Sequence, residues 1–164
     1  CDPLAGEVYV ARHGGGATLN GVPLAPRRVT AFRDGIVGMG YSLRRPPEAT
    51  LKVFAGLLAA QGMYQRTGSG ALMLAYVASG RYIGYFEAHI NAWDCLAGIA
   101  LVRESGGWTS DFLAGDGLCG WLPAFLAMAA VSQLRQACAG SVGRRSLSAA
   151  FGAVVLVAGT VAGG

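Results

Sequence analysis

The sequence predicts a layered α/β domain that combines β-sheet of mixed sense with helices. Three observations carry this. Short apolar runs bounded by Gly or Pro alternate with longer segments of helical period. A length of 164 residues suits one domain with a sizeable core. Hydrophobic residues make up 53% and charged ones only 13%, which excludes a disordered chain and a coiled coil.

Residues 7–11 read as a strand, 14–16 as a glycine turn and 17–19 as a second strand. Asn20-Gly21 is a strong two-residue hairpin signal. Residues 36–39 read as a buried strand, after which Pro46-Pro47 punctuates the chain. Leu51, Phe54, Ala55 and Leu58 recur at helical spacing, so a helix over 48–61 should bury that stripe and end at Gly62. A short strand follows over 63–66. Ser69 is placed to cap the next helix, which carries Leu72, Ala75 and Tyr76 on one face and stops at Gly80. Residues 82–87 form an aromatic strand. The helix over 93–104 has Leu96, Ala97, Ala100 and Leu101 as its expected apolar stripe, and Gly106-Gly107 ends it. Trp93 and Trp108 are expected to be packing anchors. A strand over 108–111, another over 125–129 and a helix over 131–139 complete the expected pattern.

The net charge is +4, and twelve of the thirteen basic residues are Arg. They fall in scattered pairs, without the aromatic interleaving of a nucleic-acid groove, so no nucleic-acid partner is expected and an anionic small substrate fits the charge. The four cysteines form no C-x-x-C and no Cys/His cluster, which argues against a zinc site and a disulfide framework and for a reducing cytoplasm. The chain opens on Cys1 without a Met; a truncated chain is expected rather than a lipidated N-terminus. Residues 146–164 carry no charge, yet are mostly small, so a loose tail is expected there rather than a membrane anchor.

Two helix starts stand out chemically. Gly68, Ser69 and Gly70 let backbone approach a ligand closely, and free N–H groups at a helix start favour an anion. Asp94 lies in the first turn of the next helix, where the macrodipole favours a carboxylate, and a carboxylate suits a hard cation such as Mg²⁺. Glu87 ends the preceding strand; ligands sit at the carboxyl ends of strands in open α/β sheets, so Glu87 and Asp94 are expected to flank one crevice. On those features alone, a turn, a favourable N-terminal acid and a solvated strand-end acid remain alternatives. His13 and His89 lack a nucleophile pattern and are expected to be surface or core histidines.

Trp93-Asp94-Cys95-Leu96-Ala97-Gly98, continuing to Glu104-Ser105-Gly106-Gly107, resembles the C-terminal signature of the inositol monophosphatase family. Gly68-Ser69-Gly70-Ala71-Leu72, running on to Tyr85-Phe86-Glu87, is similar to the family's substrate-side segment. Residues 7–21 are similar to its central hairpin. The resemblance covers about residues 1–138 and implies the C-terminal portion of that fold. It further implies a Mg²⁺-dependent phosphomonoesterase acting on a small phosphorylated substrate, an inositol phosphate or related sugar phosphate. Asp94 then matches a metal ligand, Glu87 an acid that binds substrate hydroxyls, and Gly68, Ser69 and Gly70 a loop lining the pocket.

The family's other metal ligands, an upstream Glu and the two Asp of a D-P-x-D-G-T segment, have no counterpart here. Asp2-Pro3 lies beside the hairpin and does not supply them. Ile83 stands where the family usually has Asp. The expectation is therefore an incomplete chain, inactive by itself and prone to form homo-oligomers. Its alternative role is a non-catalytic one, binding a sugar phosphate or a partner chain. Residues 1–139 form the family-like region and 140–164 a Gly/Ala-rich tail.

Overall fold

The computed structural model describes residues 1–110 and 154–157. In order they form β1 (Tyr9–Arg12), β2 (Gly16–Leu19), β3 (Val22–Pro23), β4 (Ile36–Met39), α1 (Pro47–Ala59), β5 (Met63–Gln65), α2 (Gly70–Ala78), β6 (Gly84–Glu87), α3 (Ala92–Glu104), β7 (Trp108–Thr109) and β8 (Val154–Val157). Strands β1, β2 and β3 make an antiparallel sheet. The other five run parallel in the order β5-β4-β6-β8-β7. The two strand senses are thus segregated into two sheets of one α/β fold.

The turn between β2 and β3 has both central residues left-handed, Asn20 at φ 49° and Gly21 at φ 82°, as a tight two-residue hairpin requires. The Asn20 side chain also accepts from the Val8 N–H at 2.8 Å and donates to the Gly6 carbonyl at 3.0 Å.

The period-two alternation of β4 sets the layers. Val37 and Met39 face α1 and pack with Val53, Leu57, Ile83 and Phe86. Gly38 points the other way, and the Tyr82 and Tyr85 rings fill the room it leaves; a Cβ there would sit 3.1 Å from Tyr82 and 3.2 Å from Tyr85. Helices α2 and α3 cover this second face with Met73, Leu74, Val77, Cys95, Ile99 and Val102. The antiparallel sheet closes over α3 through Ala17, Tyr9 and Ala11. Two polar ties hold it. The Glu104 carboxylate accepts from the Gly14 and Gly16 N–H groups, each at 3.1 Å. Arg81 forms a two-pronged pair with Glu7, one prong at 2.9 Å, and lies over the Tyr76 ring.

Two helix faces differ from the expectation. In α1 the buried residues are Val53 and Leu57, while Leu51 and Leu58 are exposed. In α3 the buried set is Cys95, Gly98, Ile99, Leu101 and Val102; Leu96, Ala97 and Ala100 face outward. Both helices are apolar on two sides, and periodicity identifies the helix without choosing which side turns inward. Gly98 decides the matter for α3, because only a residue without Cβ fits against Leu74 of α2. Trp93 is 79% exposed and Trp108 47%, so neither is an anchor.

The expected loose tail also needs correction at residues 154–157. They form β8, which lies between β6 and β7 with Val155 opposite Tyr85 and Thr109. Four apolar residues without a charge suit a parallel strand flanked on both sides. The strand expected at 125–129 and the helix at 131–139 lie outside the described residues. Among the described residues no helix is long and apolar enough to cross a membrane.

Candidate active site

Strands β4 and β6 are neighbours, yet the helices that follow them lie on opposite faces of the sheet, α1 on one and α3 on the other. Such a switch point places a crevice beyond the carboxyl ends of the two strands. Glu87 is the last residue of β6 and stands at that edge. Its carboxylate accepts the hydroxyl of Tyr85, two residues back on the same face and itself 1% exposed. Gly40, just past β4, leaves room for the acid; a Cβ there would collide with the Glu87 carboxyl group. Burial raises the pKa of Glu87, against the pull of the Tyr85 hydrogen bond and the Arg66 charge; the Asp94 charge adds to the rise. Burial and the Glu87 charge likewise raise Tyr85. Burial, together with the charges of Asp94 and Glu87, pushes the Cys95 thiol up to about 11.

Asp94 lies in the first turn of α3. Asn91, at the cap position, does not cap the helix with its side chain. It bridges instead: its Nδ2 donates to Asp94 Oδ2 at 3.3 Å, and its Oδ1 accepts from Arg44 Nη1 at 3.0 Å. Ser69 caps α2 as expected, Oγ accepting from the Leu72 N–H at 3.3 Å. Gly68 is left-handed at φ +85°. At Gly70 a Cβ would meet Ile90 Cδ1 at 2.6 Å, the Tyr85 hydroxyl at 3.0 Å and the Asp94 carbonyl at 3.6 Å. The starts of α2 and α3 therefore meet above Tyr85. Gly70, the Asp94 backbone and Glu87 are thus gathered around the Tyr85 hydroxyl, with Ser69 beside Gly70 at the start of α2.

Several neighbouring residues escaped the sequence reading. Ser42 and Arg44 come from the loop after β4, which carries no motif. Ser42 Oγ lies 3.4 Å from Nδ1 of His89, a residue expected to be plain surface or core. Gly40 did leave a trace, since Gly38 and Gly40 occupy alternate positions and so share one face. His13 is elsewhere, exposed and 3.5 Å from Glu104. Asp2 accepts from the Leu4 and Ala5 N–H groups and serves a turn. Ile83 is buried against α1.

Among the described residues, no group of three or more His, Cys, Asp or Glu could hold a metal ion. Asp94 and Glu87 offer hard carboxylate oxygens, which fit Mg²⁺ in kind but not in number.

Comparison with known proteins agrees with this architecture. A protein of Haemophilus influenzae named Nus factor SuhB is 40% identical over 117 residues, 70% of this chain and 44% of that protein. The inositol-1-monophosphatase of Rhizobium meliloti is 38% identical over 112 residues, 67% of this chain and 42% of its own length. The crystal structure of the extragenic suppressor protein suhB from Bartonella henselae matches with a TM-score of 0.62 at 32% identity, covering 65% of this chain and 42% of that one. The structure of inositol monophosphatase from Anabaena matches at 0.60 and 35%, covering 65% and 43%. The chain thus spans less than half the length of these relatives. The model of the inositol monophosphatase family matches residues 1–143, and the chain belongs to that family.

Proposed function

We propose that this chain supplies the sugar-binding side of a Mg²⁺-dependent phosphomonoesterase acting on an inositol phosphate or related sugar phosphate. The observation that carries this is the close approach of Gly70 to the Tyr85 hydroxyl and the Asp94 carbonyl, with Glu87 hydrogen-bonded to the same Tyr85. Glu87 is held by Tyr85 with one oxygen partnered, which leaves acceptor capacity for a sugar hydroxyl. The N–H groups at the start of α2 favour a phosphate group. Asp94 is the ligand this chain contributes to Mg²⁺, further carboxylates being needed from outside the described residues. Held there with those further carboxylates, Mg²⁺ would supply activation of a water and screening of the charge that develops on phosphate. Titrating the chain with inositol 1-phosphate while following amide resonances tests the reading. Shifts confined to residues 66–70 and 87–94 are expected; their absence sinks it.

A second reading is a non-catalytic role in binding a partner chain, either a second copy or another protein. The exposed stripe of Trp93, Leu96, Ala97 and Ala100 on α3 favours it, because an apolar helix face left in water is a common mark of an interface. Light scattering on Trp93→Ser tests the second-copy form of this reading: loss of a dimer supports the interface, and an unchanged mass removes it.

A further inference from the structure

We propose that Arg44 is a positioning residue for Asp94 and acts on it through the Asn91 carboxamide. What the positioned acid then does is taken from the proposed function, on which this inference rests. Strands β4 and β6 pair in parallel, with Val37 opposite Gly84, Gly38 opposite Tyr85 and Met39 opposite Phe86. Carried past the strand ends, the same register sets Gly40 opposite Glu87, Ser42 opposite His89 and Arg44 opposite Asn91. All three pairs meet. Glu87 takes the room left by Gly40. Ser42 Oγ lies 3.4 Å from His89 Nδ1, and Arg44 Nη1 donates to Asn91 Oδ1 at 3.0 Å, each pair 47 residues apart. Beyond the strands, side chains thus continue what backbone pairing began. Ser42 also shapes its own loop, accepting the Arg44 N–H on Oγ and the Arg45 N–H on its carbonyl, both at 3.3 Å.

Asn91 holds the cap position of α3 at φ −81° and ψ 154°, extended angles from which an Asn side chain readily caps a helix. It makes no such bond, and its Nδ2 donates instead to Asp94 Oδ2 at 3.3 Å. A guanidinium only donates and a carboxylate only accepts, so the carboxamide between them has one workable orientation. Arg44 takes the oxygen and thereby turns the amino group to Asp94. Without Arg44 the carboxamide is free to flip or to return to the cap. The Asp94 carboxylate then loses the one hydrogen-bond partner it has among the described residues.

The test is NMR of the full chain without ligand, reading the Asn91 side-chain amide protons and the Asp94 carboxyl carbon. In the wild type those protons should exchange with water about five-fold more slowly than in a free carboxamide, the scale of one hydrogen bond. Arg44→Ala should remove that protection and shift the Asp94 carbon. Arg44→Lys, which still donates, should keep most of both. In an Asn91→Ala background, Arg44→Ala should leave the Asp94 signal in place, because the intermediary is gone. The melting temperature should hardly move, since Arg44 is exposed. An Asp94 signal indifferent to Arg44→Ala, or shifted equally in the Asn91→Ala background, overturns the inference. Inositol 1-phosphate added to the wild type forms a separate arm. No response there sinks the sugar-phosphate reading, while the ligand-free signals still decide the positioning.

Discussion

Gly40 and Glu87 share one space: a Cβ on Gly40 would occupy the position of the Glu87 carboxyl group. Gly40 follows β4 and Glu87 ends β6, two neighbouring parallel strands, and Gly40 donates its N–H to the Phe86 carbonyl at 2.7 Å. An added methyl group must push Glu87 off Tyr85 or part the strands. Gly40→Ala should cost about 1–3 kcal/mol, the range of an overpacked site. In a Glu87→Ala background the same change should cost less than about 0.5 kcal/mol, because the obstructing atoms are gone. Urea unfolding of the four proteins measures the coupling. Equal costs in both backgrounds would mean that the two residues do not compete.

The raised pKa of Glu87 has a sign that stability can read. A carboxyl whose folded pKa is raised favours the fold while protonated. That contribution is complete below the unfolded value of about 4.3 and is lost as pH rises through the folded value. Above that value the ionised, half-buried acid weakens the fold. Glu87→Gln keeps the shape and an oxygen for the Tyr85 hydroxyl, so it should raise the melting temperature at pH about 7–8, with the gain fading towards pH about 4. Thermal scans across that range decide it; a lower melting temperature at neutral pH would contradict the burial of the charge.

Much of this arrangement is legible in the sequence where local chemistry dominates. Asn20-Gly21 sets the hairpin, Ser69 the start of α2, and Gly80 and Gly106 the left-handed residues after α2 and α3. The two helix starts and Glu87 are legible because spacing alone places them at strand and helix ends. Helix orientation is not, since α1 and α3 each offer two apolar stripes and only packing against β4, β6 and α2 selects one. The cross-loop partners Ser42, Arg44 and His89 are equally hidden, because their meeting depends on β4 lying beside β6. The place of Val154–Val157 follows from a vacancy between β6 and β7 that no local pattern reveals.

The contact of Gly98 with Leu74 offers a direct probe of the α2–α3 seam. Alanine is a better helix former than glycine by about 1 kcal/mol, so an exposed glycine in α3 would gain from the change. Here the new Cβ would run into the Cβ of Leu74, an atom fixed by its own backbone. Steric cost should win, and Gly98→Ala should destabilise by about 1–3 kcal/mol net. Stabilisation in chemical denaturation would mean that the helices can part freely.

Asp94 carries the last prediction. A single acidic ligand holds Mg²⁺ weakly, because the ion dehydrates reluctantly and relies on several carboxylates and substrate phosphate. Two-metal phosphate chemistry needs ions about 3.5–4 Å apart, and Glu87 and Asp94 cannot build both cages. The purified 164-residue chain should therefore show no enzymatic turnover of inositol 1-phosphate in Mg²⁺. Supplying, in cis or in trans, a polypeptide that carries the family's remaining acidic ligands should produce activity. In that reconstituted enzyme Asp94→Asn should lower activity by orders of magnitude. Thermal stability should change by only about 1 kcal/mol or less, the scale of a helix-dipole contact. Asn91 would keep a hydrogen-bond acceptor at residue 94, so the helix start stays intact while the charge goes. Substantial Mg²⁺-dependent turnover by the 164-residue chain alone, abolished by Asp94→Asn, would falsify the count of ligands and place the missing ones within this chain.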